Sequence, residues 1–204
     1  MVEIVQCAQG TPEWFAARAG IPTASEFATV MAKGRGSAES KTRRTYMLKL
    51  LGERMTGEVQ EGYTNHHMER GRVMEDQARK AYVLMEDAEP IQVGFIRNGD
   101  AGCSPDSLIG DDGMLEIKTK LPHLQLEVLL AGALPADHKA QVQGQLWIAE
   151  REWCDFCSFW PGLPLFVTRV YRDEQYIETI AQAVRQFLDE MNELHEQLKQ
   201  RYAA

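Results

Sequence analysis

The stretch CSPDSLIGDDGMLEIKTK, residues 103–120, places a carboxylate at Asp106 directly after a proline and, beyond a further nine residues, the triplet Glu116-Ile117-Lys118. Leu115, Ile117 and Thr119 alternate with Met114, Glu116 and Lys118, the period of a β-strand, so Glu116 and Lys118 leave the same face. Gly110-Asp111-Asp112-Gly113 is a turn sequence that folds the segment ending near Leu108 back as a hairpin and carries Asp106 toward Glu116. Two carboxylates so placed repel unless a cation lies between them, and a hard divalent ion with oxygen ligands meets that need, magnesium first and manganese as its substitute. A lysine on the same face would orient an attacking water and offset the charge of a pentavalent phosphoryl transition state. An E-x-K triplet is equally the pattern of a solvated charge pair on an exposed strand, so these residues alone leave both readings open.

The rest of the chain must hold that strand. Thr23-Ala24-Ser25-Glu26 has the form of a capping box, predicting a helix from there through Phe27, Val30 and Met31 to a stop at Gly34. Ser25 then lies in a first turn suited to an anion, with Arg18 upstream as a bidentate partner; a plain capping box beside a surface arginine reads the same way. GRGSAESK is a loop leading into a basic helix over roughly Lys41–Met55, with Tyr46, Met47, Leu50 and Leu51 as its buried stripe. The following helical segment, from Asn65 to Glu86, carries Glu75 within or beside its apolar stripe, where it needs either an arginine partner or a metal. His66 and His67 sit near its start without the spacing of zinc ligands.

PIQVGFIRN reads as one strand, HLQLEVLLAG has no clear assignment, and Asp137 is placed to cap a helix through HKAQVQGQLWIAE, which bears Gln141. The strands EWCDFCSFW and LFVTRVYR follow, and a long amphipathic helix runs through Tyr176, Ile180, Val184, Phe187, Met191 and Leu194. Helices, a mixed central sheet and a closing helix describe an α/β architecture, read as a single domain over residues 1–204. Cys154-Asp155-Phe156-Cys157 is formally a metal motif, but on a strand residues three apart face opposite sides, which favours two packed thiols.

With 44% hydrophobic and 25% charged residues the chain has the composition of a soluble globular protein. Four scattered cysteines, no basic-then-apolar leader and no membrane-spanning stretch point to the cytoplasm. The net charge of -8 opposes nucleic-acid binding only until its distribution is seen. From Lys33 to Arg54, Lys33, Arg35, Lys41, Arg43, Arg44, Lys49 and Arg54 face only Glu39 and Glu53, a pattern shared by phosphate-steering patches and solvated helix faces.

Taken in order, R-A-G-I-P-T-A-S at 18–25, M-E-D-Q-A-R around Glu75, C-S-P-D at 103–106, L-E-I-K at 115–118 and A-Q-V-Q-G-Q-L-W-I at 140–148 resemble the phage lambda 5′→3′ exonuclease family of the PD-(D/E)xK superfamily. The resemblance runs from about Trp14 to Glu193 and implies a restriction-endonuclease-like core. It implies that Asp106, Glu116 and the Ile117 carbonyl hold the metal, with Glu75 as an outer or second-metal carboxylate. It assigns Lys118 to the nucleophilic water, Gln141 to the active site, and Arg18, Ser25 and Ser104 to a terminal 5′-phosphate. It further implies a magnesium-dependent enzyme of phage or prophage origin in a bacterial host, digesting linear double-stranded DNA to mononucleotides. The 3′ tails left behind would serve a single-strand annealing protein, and the enzyme would be a homotrimeric ring. The segment from Lys33 to Arg54 departs from the alignable pattern. Two other functions use the same residues: a restriction-like or RecB-like endonuclease, in which the phosphate pocket is idle, and a non-catalytic DNA-end-binding module, in which clustered carboxylates without metal bring no advantage.

Overall fold

Short apolar runs punctuated by glycine and proline build most of the sheet, and longer 3.6-period stretches cover it, in a computed structural model that describes residues 1–34, 40–59 and 66–202. In chain order these are β1 (Val2–Val5), α1 (Pro12–Arg18), a 3₁₀ turn (Ala24–Glu26) continuing into α2 (Phe27–Val30), α3 (Lys41–Thr56) and α4 (His66–Glu86). Then come β2 (Pro90–Ile91), β3 (Phe95–Asn98), β4 (Ala101–Cys103), β5 (Ser107–Ile109), β6 (Gly113–Thr119), α5 (Pro122–Ala131) and α6 (Ala136–Ala149). The chain closes with β7 (Trp153–Phe159), β8 (Phe166–Tyr171) and α7 (Glu174–Tyr202). The expected loop at 35–39 and the side chains of His66 and His67 lie outside the described residues.

The central sheet has the order β2-β5-β6-β7-β8, and a second sheet the order β1-β3-β4. Strands β6 and β7 run parallel and their neighbours antiparallel, so the central sheet is mixed, as the sequence predicts. The hairpin at Gly110–Gly113 forms with Ser107 opposite Leu115 and Ile109 opposite Gly113. Strand β6 is buried on both faces from Gly113 to Ile117. Met114 joins the main core with Val142 and Leu146 of α6 and Phe187 of α7, while Leu115 and Ile117 pack with Ala78 and Tyr82 of α4. Cys154 belongs to the first cluster and Cys157 to the second, both as free thiols, so the C-x-x-C residues do face apart. No helix among the described residues is long and apolar enough to cross a membrane.

Several elements differ from expectation. The capping-box helix is only a 3₁₀ turn and one α turn, because Thr23 makes no side-chain cap; its hydroxyl is occupied instead by Arg18 and Ser25. PIQVGFIRN divides between the two sheets: at Gly94 an added Cβ would lie 2.2 Å from the Cys7 carbonyl oxygen, and the chain changes partner there. Helix α6 begins at Ala136 with Pro135 at its N-cap, so Asp137 sits inside the first turn and does not cap it. HLQLEVLLAG is helical, within α5, and Val2–Val5 adds a strand the reading lacked.

A close approach joins α6 to the 3₁₀ turn and the first residue of α2. A Cβ at Gly144 would fall 2.3 Å from the ring of Phe27 and 3.3 Å from the Ala24 Cβ. Phe27 is fully buried, so its ring has nowhere to go. Gly144→Ala should therefore destabilise the protein by about 1 to 2 kcal/mol, an overpacking cost of ~1–3 kcal/mol reduced by the helix propensity gained. Urea unfolding of the variant checks this; equal or greater stability would show that the helices can part without cost.

Candidate active site

The residues Ser104, Pro105 and Asp106 carry the chain from β4 in one sheet to β5 in the other. Asp106 is pinned there from both ends: its N–H donates to the Leu115 carbonyl at 3.1 Å, and its Oδ2 accepts from the Ile117 N–H at 2.5 Å. The hairpin thus fastens Asp106 to the strand that bears Glu116. Glu116 projects from β6 toward α6 and is only 2% exposed. Its Oε1 accepts from Gln141 Nε2 at 2.5 Å and from Lys118 Nζ at 2.6 Å, and its Oε2 accepts from Gln145 Nε2 at 2.6 Å. Gln141 and Gln145 are one helical turn apart, so both amides reach the same carboxylate.

Burial pushes the Asp106 carboxyl well above its ordinary range, and the neighbouring Glu116 and Glu75 carboxylates push the same way. Burial of Lys118 works against its charge, but Glu116, Asp106 and Glu75 outweigh it and hold the ammonium above its usual value. The same carboxylates therefore favour the ammonium form of Lys118, a hydrogen-bond donor.

Arg18, Ser25 and Ser104 meet the carboxylates in a cavity of about 200 Å³, lined also by Trp14, Thr23, Asp106, Glu116, Lys118, Gln141 and Gln145. Trp14 organises this end: its indole N–H donates to Ser104 Oγ at 2.9 Å, and the Arg18 guanidinium stacks 4.2 Å above its ring. Arg18 also donates to Thr23 Oγ1 at 3.3 Å, and that hydroxyl lies 3.2 Å from Ser25 Oγ. Ser25 stands in a first turn as expected, but of a three-residue 3₁₀ turn leading into the four-residue α2, much shorter than the helix the sequence suggested. What gathers here is a guanidinium and hydroxyls, donors suited to a phosphate.

Glu75 lies on the wall of a larger cleft of about 1830 Å³ together with Asp106, Ile117 and Lys118. Its Oε1 is paired with Arg79 at 2.5 Å, and Arg79 reaches on to Ser107 Oγ at 3.2 Å. The arginine partner weighed in the sequence reading is therefore present, and Glu75 still acts electrostatically on Asp106 and Lys118. Trp14, Arg79 and Gln145 were missed as site residues. Gln145 alone had a readable signal, its spacing of four from Gln141.

Among the described residues no three His, Cys, Asp or Glu side chains converge as a metal cage. The donor chemistry nonetheless fits one class of ion. Asp106, Glu116 and a backbone carbonyl at Ile117 are all hard oxygens, and a cation between the two carboxylates would relieve the repulsion that raises the Asp106 carboxyl. Magnesium keeps much of its water and binds through one or two carboxylates, so a sparse oxygen set suits it.

This architecture, a mixed sheet flanked by helices with paired carboxylates and a lysine on one strand, is that of the restriction-endonuclease-like nucleases. Residues 13–152 match the YqaJ-like viral recombinase domain, and the chain belongs to that family, whose members include exonucleases of the lambda type. It is similar to the alkaline exonuclease LHK-Exo of Laribacter hongkongensis, with 35% identity and a TM-score of 0.85 over 95% of this chain and 98% of that one. A structure of LHK-Exo in complex with dAMP matches at 37% identity and a TM-score of 0.86, again over 95% and 98% of the two chains. A phage-related exonuclease from Haemophilus somnus shares the fold at 14% identity and a TM-score of 0.65, covering 87% of this chain and 96% of its own. No curated protein matches the sequence.

Beside the site, Lys120 Nζ lies 3.0 Å from His138 Nε2. Burial, then Lys120 and Lys118, lower the His138 pKa from 6.5 to about 4. A histidine depressed on folding contributes stability that is full above its unfolded value and is lost as pH falls through the folded one. Acidification from pH 6.5 to about 4 should therefore destabilise the wild type by one more bound proton than His138→Gln. Unfolding free energies measured across that window test the assignment; parallel profiles would contradict it.

Proposed function

We propose that this protein is a magnesium-dependent 5′→3′ exonuclease that digests one strand of linear double-stranded DNA from its end. It would release mononucleotides and leave 3′ single-stranded tails for a strand-annealing partner in phage-type recombination. The observation that carries this reading is the shared cavity: Arg18, Ser25 and Ser104 line the same small space as Asp106, Glu116 and Lys118. An anion pocket abutting the cleaving groups suits an enzyme that holds a terminal phosphate while it cuts next to it. The dAMP complex of LHK-Exo supports the same product class, a deoxynucleoside monophosphate. The exposed leucines of α5, among them Leu126 and Leu130, supply an apolar surface for the subunit contacts of a ring.

Asp106, Glu116 and the Ile117 carbonyl would hold the metal, which supplies Lewis-acid polarisation of the phosphate and a more acidic water. The protein's own groups do the rest. Gln141 and Gln145 fix both oxygens of Glu116, so the carboxylate keeps its direction without help from solvent. Lys118, held protonated, donates to the water or a phosphate oxygen and stabilises the charge that grows in the transition state. Arg18, backed by the Trp14 ring, and the Ser25 and Ser104 hydroxyls bind the end of the strand and set which phosphodiester reaches the carboxylates.

Asp106→Ala and Glu116→Ala should each abolish cleavage while metal-free DNA binding persists, because the carboxylates themselves repel phosphate. Normal turnover by either variant would remove them from the active site. A duplex with 5′-phosphoryl ends should be digested faster than one with 5′-hydroxyl ends, and Arg18→Ala should erase most of that difference. The loss corresponds to about 1.5 to 3 kcal/mol for a charged hydrogen bond, tenfold or somewhat more in rate. Initial rates on matched linear duplexes decide it: equal wild-type rates on the two ends, or efficient cutting of closed circles, would favour an endonuclease.

A further inference from the structure

Helix α3 carries much of the basic segment of the sequence, and the structure divides its cations into two groups with different partners. Arg43 turns toward α7: it pairs with Glu190 at 2.5 Å, donates to the Val30 carbonyl at 3.1 Å and stacks 5.2 Å from the Phe187 ring. Arg54 is spent in the same way, on the Gly20 carbonyl at 2.7 Å and on Asn192 at 3.2 Å. These arginines fasten α3 to the fold. Lys41, Thr42, Thr45 and Lys49 are exposed and line the cleft that also contains Asp106 and Lys118.

We infer that this second face of α3 is the track on which backbone phosphates of the substrate strand lie as it approaches the carboxylates. The inference rests on the nuclease reading above and adds the residues that guide the strand. Lys41, Thr45 and Lys49 follow one another at four-residue intervals, a strip ~12 Å long at the α-helical rise. Along one strand that length spans about three phosphates. Ammonium groups and hydroxyls suit phosphate oxygens, and contacts to phosphate carry no sequence information directly, so the track is indifferent to sequence. Lys41 has no ion-pair partner among the described residues. Lys49 lies a loose 3.9 Å from Glu53, whose other oxygen accepts from the Gly20 N–H at 2.9 Å. The remaining carboxylates along the cleft wall do not oppose a phosphate freely: Glu26 is bonded to Thr29, Glu75 to Arg79 and Asp76 to Lys80.

The test is the salt dependence of binding. With metal chelated, dissociation constants for a 5′-phosphorylated linear duplex are measured over a range of salt for the wild type, the double variant Lys41→Gln/Lys49→Gln, and Arg43→Gln. Each phosphate contact contributes roughly 0.9 to the slope of log affinity against log salt, so the double variant should lose about 2 from its slope. Its thermal midpoint should stay at the wild-type value, since both lysines are exposed. Arg43→Gln should show the opposite pattern, a lower midpoint with the wild-type slope. A wild-type slope in the double variant overturns the track while leaving the nuclease reading intact. A wild-type protein with no affinity for DNA overturns both.

Discussion

A carboxylate buried in the middle of a central strand governs the site. Glu116 is almost wholly removed from water, and a charge so placed is tolerated only if every lone pair it exposes is met. Gln141, Gln145 and Lys118 meet them, which requires α6 to lie across β6 at one rotation. That rotation needs the close approach at Gly144, and the approach in turn brings the Ala24–Glu26 turn, with Ser25, to the edge of the cavity. The cost remains visible in Gln145: with its amide N–H committed to Glu116, its buried Oε1 meets no hydrogen-bond donor among the described residues.

A second buried carboxylate, Asp155, shows why burial alone does not make a site. On the neighbouring strand β7, Asp155 accepts from both arms of Arg169 at 2.8 Å and from the Tyr82 hydroxyl at 2.6 Å, with Arg169 stacked 3.7 Å from the Trp153 ring. One carboxylate faces one guanidinium, and the group is neutral and saturated. Around Glu116 the count is different, for two carboxylates, Asp106 and Glu116, share Lys118, and the amides that complete the shell carry no charge. On the proposed reading that imbalance suits a cation beside Glu116, whereas the paired Asp155 cluster pins β7 and β8 to α4.

The sequence displayed most clearly what is local. The hairpin, the shared face of Glu116 and Lys118, and the opposed thiols of Cys154 and Cys157 all follow from a period of two and one turn. The buried stripe of α3, Met47, Leu50 and Leu51, followed from a period of 3.6. What was illegible depends on contacts far apart in the chain. Nothing beside Thr23 in the sequence says that its hydroxyl will bond to Arg18 and leave the capping box unmade. Gly94 lies in the break between β2 and β3, where Cys7 packs against its backbone from a distant part of the chain. Nothing in the sequence separates Arg43 from Lys41 in role; Glu190 and Phe187, well over a hundred residues away, make one a structural cation and leave the other facing the cleft. Gln145 was legible in spacing but not in role, since a glutamine on a buried helix face acquires meaning only from the carboxylate opposite.

The link between the Arg18–Ser25–Ser104 end of the cavity and the carboxylates is covalent. Ser104, at the end of β4, lines the pocket, and Asp106, at the entrance to β5, faces Glu116; they are separated by Pro105 alone. Two residues span at most ~7 Å of extended chain, and proline restricts the backbone further. The pocket floor and the carboxylate therefore cannot drift apart, whatever moves elsewhere. Trp14 extends the constraint to α1 by bonding Ser104 through its indole while supporting Arg18 on its face. On the proposed reading this geometry makes the cut a fixed step: the distance from bound end to broken bond is set by the passage between two sheets, so each cycle advances the strand by the same amount.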